Sequence, residues 1–334
     1  MKYRALGRTE IQVSDVGIGT WEMSGDVWGA KDDSTSKAAI AAGIEAGANF
    51  IDTAAGYGAG HVEELIGEFL HSSSISRSDV VISTKVKPKN GRFAPPPNVP
   101  VSEAYAPDWI VRQVEESLRR LRTDYVDVLF MHTWSRGWDA DEEWYATVDK
   151  LKQAGKIRAI GISVPDEGPA EANTHIEAGR VDVVQVVYNV FQQEPEYALF
   201  PLAKKHDIGI VARSPFSSGA LVQDWRPDMQ FEDGDWRGSW PLEVKPGWLE
   251  DQTRMAGLVK EIFGAAGIDQ SLGALTYVLA NDVVSSVIPG SANPDHVRGN
   301  VAAAMAPRLD DGLIENLKDL WRNGLVHGTY NGSV

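Results

Sequence analysis

The chain has 334 residues, 43% of them hydrophobic, and 47 acidic against 32 basic side chains give a formal net charge of −15. That length suits one large domain, and the acidity argues against a nucleic-acid partner. With no cysteine, disulfides, thiolate metal sites and cysteine nucleophiles are excluded. The polar start MKYRALGRTE has no signal-peptide core, and no apolar run approaches the ~20 residues of a membrane span, so a soluble, cytoplasmic protein is expected.

The opening stretch KYRALGRTEIQV has alternating apolar positions around Gly7-Arg8, which predicts a small hairpin plugging the floor of the domain. Eight short β-branched runs come next: DVGIG, NFIDT, VVIST, VDVLFM, IRAIGI, VDVVQVVY, IGIVA and SSVIP. Amphipathic stretches lie between them. Val111, Val114, Leu118 and Leu121 are expected on one helical face, as are Trp144, Val148 and Leu151, and Leu313, Leu317 and Leu320 repeat the pattern near the C-terminus. Apolar strands separated by helices imply a parallel sheet covered on its outside. Eight such units predict an α/β fold, a closed (β/α)8 TIM barrel forming one domain over residues 1–334; an open doubly wound sheet would need fewer strands or more domains. Residues 87–107, 133–139 and 214–250 read as long loops, each after a strand C-terminus, where barrel enzymes keep their active sites.

Asp52, Lys85 and His132 sit at the ends of strands two, three and four, and Tyr57 lies in the loop after strand two. Alone, a strand-end lysine is more often a structural ion pair and a single histidine more often inert. Together on one rim they make a proton-handling set. Asp52 can hold the Lys85 ammonium, Lys85 can lower the Tyr57 pKa from about 10, and His132 can hydrogen-bond a substrate oxygen. A metal hydrolase is disfavoured because no His-x-x-x-His pair is present. The nearest match to a dinucleotide-binding glycine fingerprint, GIGTWE, lacks the third glycine.

The blocks YRALGRT, GIGTW, IDTAAGYGAGHVEELIG, STK, YVDVLFMH, IGIS, VVQVVYNVF, ARSPFSSGAL and VIPGSANPDHVRGN resemble, in order, those of the aldo-keto reductase family. The resemblance implies a barrel that binds NAD(P)H in extended form, with Asp52, Tyr57, Lys85 and His132 as a catalytic tetrad. Tyr57 would protonate a carbonyl oxygen while hydride arrives from C4 of the nicotinamide, and would act as the base in the reverse direction. Asp52 would also lie beside the cofactor, and Gly19, Thr20 and Trp21 would let the backbone approach the nicotinamide. Ser163 and Gln185 would bind its carboxamide. Arg213 stands where many relatives stack an aromatic on the ring; its alternative is a carboxylate pair. Ser214, Pro215, Phe216, Ser217, Gly219 and Leu221 resemble the loop that holds the pyrophosphate through backbone amides. Gly290, Ser291, Asn293, His296 and Asn300, at the start of a helix, match the grip on the adenosine 2′-phosphate side; an ordinary capped helix is the alternative.

Some positions depart from the family pattern. Val164 replaces a common asparagine, and Gly290 and His296 replace the lysine and arginine of some members. Arg237 or Arg298 is the candidate replacement cation. NADP(H) is favoured as cofactor, with NAD(H) the second choice. Trp21, Trp28, Trp134 and Trp138, with Phe93, are placed in strand-end loops. The expected substrate-facing set is Trp21, Trp28, Tyr57, Phe93, His132 and Trp134, suiting a small carbonyl or alcohol of modest polarity. Two further readings are a cofactor-sensing subunit with little turnover, as some members are for ion channels, and a Schiff-base enzyme using Lys85. The carboxylate partner of Lys85 argues against the latter.

Overall fold

The computed structural model describes residues 1–26, 28–29, 31–93, 99–238 and 247–327. A hairpin opens the chain: β1 (Tyr3–Ala5) pairs antiparallel with β2 (Gln12–Ser14), Tyr3 opposite Ser14. Eight parallel strands come after it: β3 (Ile18–Gly19), β4 (Phe50–Asp52), β5 (Val81–Val86), β6 (Val126–Met131), β7 (Ile157–Ser163), β8 (Val183–Val187), β9 (Gly209–Arg213) and β10 (Val284–Ile288). They pair in chain order, and bridges Val16–Val287 and Gly19–Gly290 join the first strand to the last. The Gly17 N–H donates to Val287 O at 2.8 Å and the Val287 N–H to Asp15 O at 2.9 Å, which closes the barrel. Each of the eight apolar runs forms one strand.

The helices α1 (Asp33–Glu45), α2 (His61–Ser72), α3 (Val101–Tyr105), α4 (Pro107–Leu121), α5 (Glu143–Gln153) and α6 (Asn173–Glu177) belong to the first half. The second half carries α7 (Pro195–Ala198), α8 (Phe200–His206), α9 (Trp248–Ala265), α10 (Gln270–Leu279), α11 (Pro294–Ala302) and α12 (Asp311–Arg322). Among the described residues no single helix is long and apolar enough to cross a membrane.

The two-residue strand period decides what fills the barrel. Phe50, Val81, Val128, Phe130, Ala159, Val183 and Val211 point inward as an apolar lower layer, and the hairpin seals it from below with Leu6, Ile11 and Val13. Continuing each strand upward by two or four residues puts Asp52, Lys85, His132, Ser163, Gln185 and Arg213 on the same inward face at the C-terminal rim. The layer change from apolar to polar is thus written into alternation along each strand.

Two helix and loop expectations need correction. Val111 is 39% exposed, while Ile110, Gln113, Val114, Ser117, Leu118 and Leu121 are buried. The buried arc of α4 is rotated toward Gln113 and Ser117, which apolar spacing alone does not count. Trp134 and Trp138 do not line the rim. Both are buried, with Trp134 packed against Tyr105, Trp138, Trp144 and the ring of His175 at 4.8 Å. These loop tryptophans fold down under the helices because the apolar cluster there removes their large surface from water.

His175 is fully buried in that cluster, and its Nε2 lies 3.4 Å from Asp139 Oδ1 without forming a hydrogen bond. Burial, only partly offset by Asp139, holds its pKa down at about 4. The unfolded chain takes up this proton near the ordinary value of about 6.5, so His175 costs stability as pH falls from about 6.5 toward 4. Replacing His175 by phenylalanine should narrow the gap between melting temperatures at pH 7 and pH 4.5, read by circular dichroism; an unchanged gap would show that His175 is not a source of acid lability.

Candidate active site

Lys85 is 1% exposed, and its ammonium donates to three oxygens: Asp52 Oδ2 at 2.6 Å, Thr53 O at 2.8 Å and Tyr57 Oη at 3.2 Å. Asp52 Oδ1 accepts from Ser83 Oγ at 2.7 Å and from Gln185 Nε2 at 2.9 Å. The two charges are therefore paired and the carboxylate is satisfied on both oxygens, which a buried ion pair requires. Burial works against the Lys85 charge, but Asp52 and Tyr57 outweigh it and its pKa is raised, so Lys85 is an ammonium at neutral pH.

Tyr57 differs from the expectation. Burial pushes its phenol above the ordinary value; Lys85 pulls it down and Asp52 pushes it up, leaving a net rise. The desolvation of the phenolate exceeds the pull of an ammonium already engaged by Asp52. Tyr57 is thus a protonated phenol at neutral pH, the form that donates. Burial, then the Lys85 and Arg213 charges, holds His132 well below its usual range, so its imidazole is neutral. The His132 ring lies 5.8 Å from that of Tyr57 and 4.8 Å from that of Phe93, and its buried Nδ1 has no hydrogen-bond partner among the described residues. Trp21 stacks on Tyr57 at 6.4 Å and meets Trp28 edge-on at 5.3 Å. Of the expected substrate-facing set, Trp21 packs on Tyr57, Phe93 on His132, and Trp28 joins them through Trp21; Trp134 lies elsewhere.

The remaining predicted positions lie at the strand ends and in the loops that follow them. A Cβ on Gly19 would lie 2.8 Å from Ile288 O, so its small size lets the first strand close against the last. The Thr20 hydroxyl donates to Asp52 O at 2.8 Å and braces the end of β4. Ser163 pairs in register with Gln185, whose amide nitrogen is committed to Asp52. Arg213 takes the carboxylate alternative: its Nη2 donates to Asp166 Oδ1 at 2.5 Å and Val164 O at 3.1 Å. In the loop after β9, Ser214, Ser217, Ser218 and Gly219 have φ of 55°, 45°, 57° and 94°. The Ser217, Gly219 and Leu221 amides already donate to Ser214 and Phe216 carbonyls, so they are spent within the turn. Arg237 is clamped by Asp235 at 2.6 Å, donates to Ser218 O at 3.1 Å and covers the Trp28 ring. Arg298 pairs with Asp295 at 3.0 Å.

Asn293 caps α11 by accepting from the Asp295 and His296 N–H groups at 2.8 and 3.4 Å. Gly290 and His296 are exposed, Ser291 is buried and Asn300 is half-buried. Pro215, buried, and Phe216, half-buried, complete the turn after β9. A further acid, Glu22, adjoins this helix start. It lies close to the Ala292 backbone N–H, with Lys31, Arg237 and His296 nearby, and burial raises its pKa. A glutamate next to a tryptophan carries no local sequence signal for that position.

The family model described as "Aldo/keto reductase family" matches residues 15–322. The chain belongs to the aldo/keto reductase family. It is similar to the aldo-keto reductase YhdN of Bacillus subtilis, 32% identical over 252 residues, 75% of this chain and 72% of that protein. Among solved structures it resembles the aldo-keto reductase AKR11C1 from Bacillus halodurans in its holo form, with a TM-score of 0.75, 26% identity and 96% of each chain covered. It also resembles the glycerol dehydrogenase AKR11B4 from Gluconobacter oxydans, with a TM-score of 0.76, 26% identity and 96% and 95% of the two chains covered.

In this aldo/keto reductase family member the turn that carries Tyr57 is held from below. Gly58, Ala59 and Gly60 are left-handed, with φ of 56°, 53° and 99°, and a Cβ on Gly60 would lie 2.8 Å from Arg120 Nε. Arg120 donates to Glu63 Oε2 at 2.7 Å, and Glu63, fully buried on α2, accepts from Thr84 Oγ1 at 2.5 Å. One carboxylate thus ties the Tyr57 turn, α4 and the neighbour of Lys85 together. Removing it takes away the closer of the two carboxylates that face the nearly buried Arg120 and leaves Glu116, 3.7 Å away, as the remaining counter-charge, which costs about 3 kcal/mol. The Glu63→Ala variant should lose that much unfolding free energy in urea titrations; a loss below about 1 kcal/mol would mean the pair carries no weight here.

Proposed function

We propose that this protein is an NAD(P)H-dependent oxidoreductase that interconverts a small aldehyde or ketone and its alcohol. The observation that carries the reading is the Lys85 ammonium 3.2 Å from the Tyr57 hydroxyl, beside a phenol that keeps its proton at neutral pH. The residues fit a bound nicotinamide ring, because polar groups without partners among the described residues, His132 Nδ1 and Asp166 Oδ2, lie buried at the strand ends around the barrel mouth. When bound, the cofactor would supply a hydride to the carbonyl carbon.

The chain's own residues would do the rest. Tyr57 donates its proton to the carbonyl oxygen, and the adjacent ammonium stabilises the phenolate left behind. Asp52 keeps Lys85 charged and in place. The neutral His132 hydrogen-bonds the same oxygen and orients it. In the alcohol-to-carbonyl direction Tyr57 takes the proton back. Trp21, Trp28 and Phe93 give the site an aromatic wall that excludes water and suits substrates of modest polarity. A permanently charged Lys85 is a poor nucleophile, which argues against Schiff-base chemistry.

For the cofactor, the sequence favours NADP(H), but the charge pairing argues for NAD(H). Arg237 and Arg298 are each committed to an aspartate, and the acid Glu22 lies beside Ala292 and His296. The Tyr57→Phe variant should lose about 10²–10⁴-fold in carbonyl reduction while binding cofactor as the parent does. In the same fluorescence titrations NADH should bind at least as tightly as NADPH. Retained turnover would remove Tyr57 as the acid, and a clear NADPH preference would show that the paired arginines still read the 2′-phosphate.

A further inference from the structure

Arg213 ends β9 on the inward face, two positions above Val211, which lies in register with Gln185. Gln185 in turn donates to Asp52, so the guanidinium stands one layer above the Asp52–Lys85–Tyr57 cluster. From there it reaches across β8 to the residues after β7, Val164 and Asp166, and so spans part of the barrel mouth. The pair is largely removed from solvent, with side-chain exposures of 23% for Arg213 and 9% for Asp166. The Arg213 charge is felt at both Tyr57 and His132, where it disfavours added positive charge. Only one oxygen of Asp166 is used by Arg213; the other is buried without a partner among the described residues.

We propose that the Arg213–Asp166 ion pair sets the relative affinity of this site for the oxidised and the reduced nicotinamide ring, with Arg213 disfavouring the oxidised form and Asp166 offsetting it. The inference rests on the cofactor reading above. The oxidised ring is a cation and the reduced ring is neutral, while the rest of the dinucleotide is the same in both. A part-buried guanidinium at the mouth therefore repels one form and not the other, and the repulsion is weakly screened where water is excluded. Asp166 supplies the opposite charge at contact distance from Arg213, so most of that bias is held in check. The pair then acts as a setting on the redox balance of the bound cofactor, separate from the proton chemistry of Tyr57.

The two charges make opposite predictions, which a structural role would not. With Asp166→Asn, Arg213 is left uncompensated, and the ratio of dissociation constants, oxidised over reduced, should rise by about tenfold or more. That corresponds to a shift of about 30 mV in the bound two-electron couple. With Arg213→Gln, Asp166 is left uncompensated, and the ratio should fall below the parent value by a similar factor. General loosening of the loops would weaken both forms in proportion and leave the ratio alone.

The test is equilibrium titration of the full chain and the two variants with NADH by its fluorescence, and with NAD⁺ by competition, at one fixed salt concentration. Ratios moving in opposite directions support the proposal. Ratios within about threefold of the parent in both variants, or moving the same way in both, overturn it while leaving the cofactor reading intact. If the parent binds neither form nor their phosphorylated counterparts, the proposed function fails and this inference with it. Should Asp166→Asn not fold, the fall expected in Arg213→Gln decides the matter alone.

Discussion

The buried ion pair of Lys85 and Asp52 is the constraint around which the site is arranged. Placing an ammonium where almost no water reaches it is costly, and the cost is offset only when every donor and acceptor is matched. Here the ammonium has three oxygen partners, one of them the Tyr57 hydroxyl, and Asp52 is held by Ser83 and Gln185 as well. The tyrosine is thus part of the solution to burying a charge. Its proton is retained by desolvation, and the neighbouring ammonium balances the phenolate charge once it leaves. The geometry needs a rigid turn beneath Tyr57, and the Glu63–Arg120–Thr84 network supplies it.

Around this centre three arginines are each matched to a carboxylate. Arg213 has Asp166, Arg237 has Asp235 and Arg298 has Asp295. In a chain of net charge −15 this leaves local balance at the mouth of the barrel rather than a field of one sign. On the proposed function, a site built this way would recognise a dinucleotide through shape, aromatic surface and individual paired groups. Changes of a single charge there should alter which form of a ligand is preferred more than whether it binds.

Much of the architecture was legible because each strand is a short apolar run and the inward positions recur every second residue. Asp52, Lys85 and His132 could be placed on one rim for the same reason, and Tyr57 followed from its place in the loop after the second strand. What escaped depends on distances the chain order hides. Glu63 and Arg120 are 57 residues apart, and nothing local marks either as support for Tyr57. Trp134 looked like a rim aromatic because loop residues are read from position, whereas its burial depends on how Trp138, Trp144 and His175 pack beside it. The direction of the Tyr57 shift turns on the depth of burial, a quantity invisible in a string of letters. The Asp235–Arg237 pair was closer to hand, two residues apart, and weakens the reading of Arg237 as a cation kept for a phosphate.

A phenol that keeps its proton beside a buried ammonium is the central claim. The most direct measurement is carbon-13 NMR of protein labelled at the tyrosine ζ carbon, with the Tyr57 signal assigned by its loss in the phenylalanine variant. The signal should report a neutral phenol through neutral pH and titrate only above about 10 in the free protein. A Tyr57 signal already at the phenolate position near pH 7 would contradict that claim.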